Sequence, residues 1–309
     1  MRAGLRCSTF NVLDVQNRVS AWKEGSFVLA SRILGFVACG LVSVVAAPTA
    51  ARAQAKLEAQ YSATLAGLPI GRGTWVIELG EANYSAAATA TTSGLLHAFT
   101  GGQGSTAAQG TFSGARPLTS IYAATISTRR KSDEIRLTVA NGAVKDFKVE
   151  PPQDDDPERI PLTDAHRQNV LDPMTASMVR MPGTGDPLAP EACQRKVSVF
   201  DGRMRYDLDL AYKRMDKVKA EKGYAGPVVV CTIYFAPIAG HVPSRTAVKY
   251  MANLRDMEVW LAPIVGTRVL VPFRAQGPTP LGEAVLEARQ FVSMPLPTKA
   301  AVSTSPKVQ

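Results

Sequence analysis

The charged row in VFDGRMRYDLDL, residues 199–210, carries the side chains best suited to binding chemistry. Its alternation predicts a β-strand with Arg203, Arg205, Asp207 and Asp209 on one face, because successive strand side chains point to opposite sides. If that face lines a cleft, the two guanidinium groups would bind a carboxylate or phosphate in bidentate fashion. The alternative is a solvated sheet face, in which Arg205 and Asp207 pair for about 0–1 kcal/mol.

A second set of candidates lies on a predicted helix. Asp172 followed by Pro173 indicates a helix N-terminus, because the carboxylate accepts from free N–H groups and proline suits the first turn. The helix is predicted over residues 172–181, with Met174, Met178 and Met181 on one side. Methionine fills cores and also adapts to varied apolar ligands, so Met174 and Met178 are candidates for an apolar lining.

The sequence carries no recognisable catalytic or metal-binding signature. No G-x-S-x-G nucleophile motif occurs, and the spacing of Asp154, Asp155 and Asp156 does not match a calcium loop. His241, in PIAGH, is a candidate ligand-contacting residue, although a histidine in such a loop more often forms a hydrogen bond that anchors the loop than acts as an acid or base. We assign no catalytic residue, metal or cofactor, but paired carboxylates meet only in the folded chain, so an enzyme remains an alternative.

The N-terminal sequence predicts an export signal. Residues 33–47 form an uncharged apolar run, too short for a comfortable membrane span, with Arg18, Lys23 and Arg32 before it. Ala51-Arg52-Ala53 provides a small-x-small cleavage pattern. The sequence thus predicts a signal peptide over residues 1–53 and a periplasmic protein beginning at Gln54, with an uncleaved anchor as the alternative.

Cysteines and charge constrain the exported part. Cys193 and Cys231 remain after cleavage, and thiols in an oxidising compartment tend to pair, so we predict a disulfide that stabilises the fold by about 3–4 kcal/mol. Removing the six basic and two acidic residues of the leader lowers the net charge from +9 to about +5. The remaining charges are scattered and lack interleaved aromatic residues, which argues against a nucleic-acid partner.

Period-two alternation dominates the rest of the chain and predicts strands. Asn141 and Gly142 lie between two such runs and predict a tight hairpin. The Val228–Cys231 stretch is apolar without alternation, which indicates a strand covered on both faces. The predicted fold is mainly β: a strongly curved antiparallel sheet of ten or more strands, or a partly open β-barrel, with one or two short helices. One domain is expected over residues 54–294, its two halves meeting near residues 151–161, followed by a disordered tail over residues 295–309.

Several motifs resemble one family. They are Cys193 with VFDGRMRYDL after it, Cys231, PIAGH, VWLAP at residues 259–263, VPFR at residues 271–274 and the Leu171-Asp172-Pro173 helix start. Together they resemble the domain of unknown function 3108 family of exported alphaproteobacterial proteins, over about residues 60–291. The resemblance implies a periplasmic β-rich domain and no established activity.

Three functions follow as hypotheses. The first is a non-enzymatic protein of the cell envelope that binds a lipid-like or other amphiphilic ligand in a concave sheet, near Arg203, Arg205, Met174, Met178 and His241. The second is an envelope scaffold or interaction module that binds a protein partner through exposed strands. The third is an enzyme acting on envelope polysaccharide or lipid. The sequence gives no oligomeric state.

Overall fold

The computed structural model describes residues 54–94 and 101–296, and the predicted signal peptide and most of the predicted tail lie outside these residues. The described residues form one large sheet of fifteen strands, as the sequence predicts for a mainly β protein. The strand bounds are β1 Ala55–Leu65, β2 Leu68–Leu79, β3 Asn83–Thr92, β4 Gln103–Ser113, β5 Arg116–Ser127, β6 Ser132–Ala140, β7 Ala143–Glu150, β8 Val179–Arg180, β9 Arg195–Phe200, β10 Arg205–Lys219, β11 Lys222–Gly223, β12 Ala225–Ala239, β13 Met257–Pro263, β14 Val269–Thr279 and β15 Gly282–Pro295.

The main path of the sheet runs in the order β7-β6-β5-β4-β3-β2-β1-β15-β14-β13-β12-β10-β9. Neighbours along this path are antiparallel, and the first strand pairs with the last, β1 with β15, from Ala55 opposite Pro295 to Leu65 opposite Ala284. β7 and β9 are the two edges, so the sheet is curved but not closed into a barrel. The predicted hairpin is confirmed, because Asn141 and Gly142 join β6 to β7 with φ of 54° and 76°.

One face of this sheet carries the main core. Leu57, Ile77, Tyr122, Phe200 and Phe273 belong to a single cluster of buried residues drawn from both halves of the path. Alternating residues of β12–β14 face the opposite way and form a second cluster, under the covering segment of residues 179–193. Val228, Val229, Val230 and Cys231 are fully buried because both faces of β12 are covered there, which confirms that prediction.

The predicted disulfide joins the covering segment to β12. Cys193 and Cys231 are bonded, with their Cα atoms 5.3 Å apart, and both residues lie inside the second core cluster. Cys193 ends a 3₁₀ turn, Pro190–Cys193, that lies just before β9. The bond therefore fixes the start of β9 to the interior of the sheet.

Two α-helices lie wholly within the described residues, and the first is shorter than the sequence predicts. α1 spans Pro173–Ala176 instead of continuing to Met181, because Val179 and Arg180 form β8 with β14. The predicted cap is correct, since Asp172 accepts hydrogen bonds from the N–H groups of Met174 and Thr175. α2 spans Thr246–Asn253, with Arg245 at its N-cap position.

A chain segment before α1 fills the space between the two edge strands. Val170 N–H donates to the carbonyl of Gly142 at 3.0 Å, while Leu171 N–H donates to the carbonyl of Ser198 at 2.9 Å. Phe200 N–H donates to the carbonyl of Leu171 at 2.9 Å. Since Gly142 immediately precedes β7 and Ser198 belongs to β9, this segment connects the two edges without closing the sheet, and we call residues 169–172 the bridging segment.

Candidate functional site: a basic groove beside strand β9

A groove of about 480 Å³ lies where the bridging segment leaves the edge of β9 exposed, and we call it the basic groove. Its walls come from the β4–β5 turn, the bridging segment, β8 and the residues that follow it, the 3₁₀ turn and β9. The lining residues are Ala115, Arg116, Pro117, Asn169, Leu171, Val179, Arg180, Met181, Pro182, Glu191, Arg195, Lys196, Val197 and Ser198. Four of them are cations and one is an acid, so the groove is suited to a ligand that is anionic in part and apolar in part.

Arg195 is the distinctive residue of the groove. It is half-buried, and burial lowers the pKa of its guanidinium, with no acidic neighbour to oppose that effect. Arginine nonetheless stays charged in proteins. Within residues 54–94 and 101–296 its side chain has no hydrogen-bond or ion-pair partner. A desolvated cation without a partner is unfavourable, and a bound anion would relieve that cost.

The other cations of the groove differ in the interactions that their side chains make with the rest of the protein. Arg116 is exposed at the start of β5 and has no hydrogen-bond or ion-pair partner in the described part of the chain. Arg180 lies over the ring of Phe112, with its guanidinium carbon 4.5 Å from the ring centre. Lys196 forms an ion pair with Asp207, Nζ to Oδ2 at 3.1 Å. Arg116 and Arg195 are therefore the two arginines best placed to bind a ligand.

The backbone of β9 contributes to the groove as well. Phe200 N–H and Ser198 C=O point away from β10, toward the bridging segment, and alternate residues of a strand point the same way. The N–H and C=O of Lys196 and the N–H of Ser198 must therefore also point away from β10. Among the described residues no backbone group pairs with these three. The groove thus contains a short open sheet edge.

The two arginines of the predicted charged row are engaged by other parts of the fold. Arg203 donates to Asp133 Oδ1 at 2.9 Å and to the carbonyl of Pro151 at 3.0 Å. It precedes β10 and connects the β9–β10 turn to β6, the neighbour of the other edge strand, β7. Its guanidinium is thus part of the contact between the two edges.

Arg205 pairs with Asp207 along β10, but the pair is buried and does not lie on the solvated face of the alternative interpretation; Arg205 also donates to Ser198 Oγ at 2.7 Å. Burial alone would raise the pKa of Asp207, but hydrogen bonds from Arg205, Lys196 and Ser198 outweigh it and hold the pKa below its usual value. Both partners are well buried, with 13% and 9% of their side chains exposed. The row is a structural ion-pair network in this structure.

Of the remaining candidates, the two methionines lie in the core, whereas His241 follows Gly240, which packs against the backbone of Arg203. Met174 and Met178 are buried in the main core, in the same cluster of buried residues as Phe200 and Trp260. His241 is 8% exposed, and its main-chain carbonyl accepts from Ile160 N–H at 2.9 Å. Burial lowers the pKa of His241, and its Nδ1 has no partner among the described residues. The structure brings the two methionines together but does not gather the five candidates into one site.

Sequence reasoning missed Arg195 and Arg116, although one of them left a signal. Arg195 shares its strand face with Val197 and Val199, both buried, so a cation stands in an otherwise apolar row. Such a placement is unusual unless the charge has a role. Arg116 gave no signal, because only the fold brings the β4–β5 turn to β9.

Among residues 54–94 and 101–296, no group of three histidine, cysteine or acidic side chains is arranged to hold a metal ion. A search of the same residues finds no helix with the length and apolar character needed to cross a membrane.

Comparison with known proteins gives one family. The family model described as Protein of unknown function (DUF3108) matches residues 60–289. No curated protein and no solved structure matches the chain. The chain belongs to the DUF3108 family, as the motifs around Cys193, Cys231 and Trp260 indicate.

Proposed function

We propose that this protein is a non-enzymatic, periplasmic protein of the cell envelope that binds an anionic amphiphilic ligand in the basic groove. The observation that carries the proposal is the half-buried guanidinium of Arg195, which has no partner in the described chain and faces a groove with an apolar wall. A carboxylate or phosphate would pair with Arg195 and Arg116. The apolar part of the ligand would lie on Pro117, Val179 and Met181.

The groove is a better candidate than the concave interior. Met174 and Met178 are packed into the main core, and Arg203 and Arg205 already bind other residues of the protein. A ligand that bound there would have to displace these contacts. The groove binds the same class of ligand without that cost.

The export part of the proposal is supported by the apolar run over residues 33–47 and by the Cys193–Cys231 bond, which is typical of oxidising compartments. Fractionation of the native cells, followed by N-terminal sequencing of the purified protein, tests it. We expect the protein in the periplasmic fraction with Gln54 as its first residue. Recovery from the cytosol with an intact leader would contradict it.

Binding is tested with dodecyl phosphate as an anionic probe and dodecyltrimethylammonium as its cationic counterpart. We expect saturable binding of dodecyl phosphate only, weakened by salt, since charge drives part of it. Arg195→Gln should weaken that binding by about 10-fold to 100-fold, the usual range for a lost charged hydrogen bond. Arg130→Gln is the matched control, because Arg130 is exposed and does not line the groove.

Equal binding of the two probes, or equal binding by the Arg195→Gln and Arg130→Gln variants, would contradict the proposal. Either result would mean that the detergent binds through its tail alone, or at surface charges in general. The second candidate function, an interaction module of the envelope, is favoured by the open backbone edge of Lys196 and Ser198. A polypeptide segment with acidic and apolar side chains is an amphiphile too, so the two functions share one site.

A further inference from the structure

We infer that the ligand of the basic groove is an extended acidic segment of another polypeptide, which adds as a strand to the edge of β9. This inference rests on the proposed binding role of the groove and names the partner. It depends on the open backbone edge, on the charge of the groove and on the contrast with the other edge of the sheet.

The backbone groups decide between a lipid-like ligand and a polypeptide. Lys196 presents a donor and an acceptor to the groove and Ser198 presents a donor, and no backbone group of the described residues pairs with them. An alkyl chain would cover these groups without pairing them, which costs free energy for each buried polar group. An extended polypeptide supplies the alternating C=O and N–H groups that pair with such an edge.

The charge of the groove determines the side chains of the partner. Arg195 and Arg116 have no partner in the described residues, and Arg180 adds positive charge, whereas Glu191 is the one acid among the lining residues. The charge of Lys196 is already paired with Asp207. Side chains of an added strand alternate between two faces. Acidic residues at every second position would reach Arg195 and Arg116, and the intervening positions would suit apolar or small residues.

The length of the added strand is limited by the bridging segment. Leu171 pairs with the backbone of Ser198 and Phe200 and so ends the open edge at Ser198. The free part of β9 extends over residues 195–198, which is about 10 Å at the usual rise per residue. The partner segment is therefore short, and its affinity depends on the arginines as well as on the backbone.

The other edge of the sheet is protected in the usual way. β7 presents exposed Lys145, Asp146, Lys148 and Glu150, and charged side chains of both signs on an edge strand discourage pairing with other chains. Beside β9, the acids of β10 that could repel an acidic segment are engaged, because Asp207 and Asp209 pair with Lys196 of β9. The two edges thus differ in their readiness to accept a strand.

The test uses a ten-residue peptide of alternating Glu and Val, with a Lys-for-Glu peptide as its charge control. Two further peptides carry N-methyl groups, one at every Glu and the other at every Val. We expect the acidic peptide to bind and the basic one not to bind. N-methylation of one set should weaken binding about tenfold or more while that of the other set is tolerated, since only one edge of a strand faces β9.

Two variants of Lys196 test the same contact from the protein side. Lys196→Pro removes the N–H that faces the groove and keeps the ladder with β10, because that N–H is not bonded to β10; proline is tolerated at such edge positions. Lys196→Ala removes the side chain alone. We expect Lys196→Pro to bind the acidic peptide about tenfold more weakly than Lys196→Ala, with both variants folded by circular dichroism.

The inference is overturned if neither N-methyl set weakens binding, or if the acidic peptide does not bind up to millimolar concentration. Should Lys196→Pro fail to fold, the two N-methylated peptides still decide the question. Vesicles of phosphatidylglycerol separate this inference from the proposed function. If they bind through Arg195 while the peptide does not, the proposed function stands and the peptide partner is rejected; if neither binds, both fail.

Discussion

Asp172 shows how a single polar residue organises the centre of this protein. It is 1% exposed, and its carboxylate accepts from Met174 N–H at 2.9 Å, Thr175 N–H at 3.0 Å and the Thr119 hydroxyl at 2.6 Å. Burial raises the pKa of Asp172, and these hydrogen bonds oppose that effect. The residue therefore caps α1 and connects it to β5 with one side chain.

Two substitutions of Asp172 should separate the stabilising effect of its helix cap from the effect of its buried charge on the free energy of unfolding. Asp172→Ala leaves two N–H groups and a buried hydroxyl without an acceptor, so we expect a loss of about 2–4 kcal/mol in the free energy of unfolding. Asp172→Asn keeps an acceptor for the helix N–H groups and removes the buried charge, so it should cost clearly less. Urea denaturation of both variants measures this, and equal losses would show that the cap contributes little.

His241 should make the protein sensitive to mild acid. Its pKa in the folded state is lowered from 6.5 by burial, so between these two values the unfolded chain takes up a proton that the folded protein does not. The contribution of His241 to the free energy of unfolding is fully present above pH 6.5 and is lost as the pH drops toward the lowered pKa. The loss is about 1.4 kcal/mol for each unit by which the folded and unfolded pKa differ. Denaturation curves at about pH 7.5 and about pH 5.5, on either side of the usual histidine pKa, should show this loss in the wild type and a smaller one in His241→Asn.

At the scale of elements, the contact between the two ends of the sheet depends on a glycine. Gly202, in the β9–β10 turn, has φ of +95°, and a Cβ there would lie 2.7 Å from Ile135 Cγ2 and 3.3 Å from Val149 Cγ2. Arg203 beside it donates to Asp133, and the rings of Phe147 and Phe200 meet with centres 5.8 Å apart. The β9–β10 turn therefore packs directly onto β6 and β7.

Gly202→Ala should weaken this contact by adding both backbone strain and a clash. We expect a loss of about 2–4 kcal/mol, from roughly 1 kcal/mol or more for the left-handed backbone and the rest for overpacking. Gly183→Ala is the matched control, because Gly183 has φ of +71° and a Cβ added there would meet nothing within 4 Å. Thermal melts compare the two variants. Equal losses would mean that the clash at Gly202 adds no destabilisation beyond that of the left-handed backbone.

Local sequence patterns were sufficient to predict individual turns and caps, but they were insufficient to predict which elements lie beside each other in the fold. The hairpin at Asn141 and Gly142 and the cap at Asp172 depend on a few adjacent residues, so both were predicted correctly. The length of α1 was not, because β8 pairs with β14 about ninety residues later in the chain. The open edge of β9 and the approach of Arg116 to Arg195 follow from strand order, which no local pattern encodes.

At the scale of the whole molecule, the covering segment is fixed to the sheet by a few buried side chains and by one covalent bond. It contacts β12–β14 through Val179, Met181 and Ala192, and through the Cys193–Cys231 bond, which closes a sequence separation of 38 residues. Arg268 reinforces it with hydrogen bonds to the carbonyls of Met181 and Pro182. This segment forms one wall of the basic groove, so its stability and the groove's shape are linked.

Replacing both cysteines by alanine should lower the free energy of unfolding by about 2–4 kcal/mol, because the unfolded chain regains the freedom of that loop. Affinity of the groove for an anionic probe should fall as well, since the wall loses its covalent attachment. Denaturation of the double variant, compared with the wild type before and after reduction, measures the first effect. Identical curves for the oxidised wild type and the double variant would contradict it.

The pairing of β1 with β15 has a consequence for the order of folding. Each half of the main path consists largely of hairpins between strands that are neighbours in sequence, so each half can assemble from local contacts. The pairing that joins the halves, β1 with β15, can form only after the last strand has been synthesised. A nascent chain would hold two incomplete sheets with unpaired edge strands until β15 is synthesised. We expect the chain to depend on chaperones during synthesis, and chains truncated before Gly282 to aggregate. Both effects would originate in the late pairing of β1 with β15.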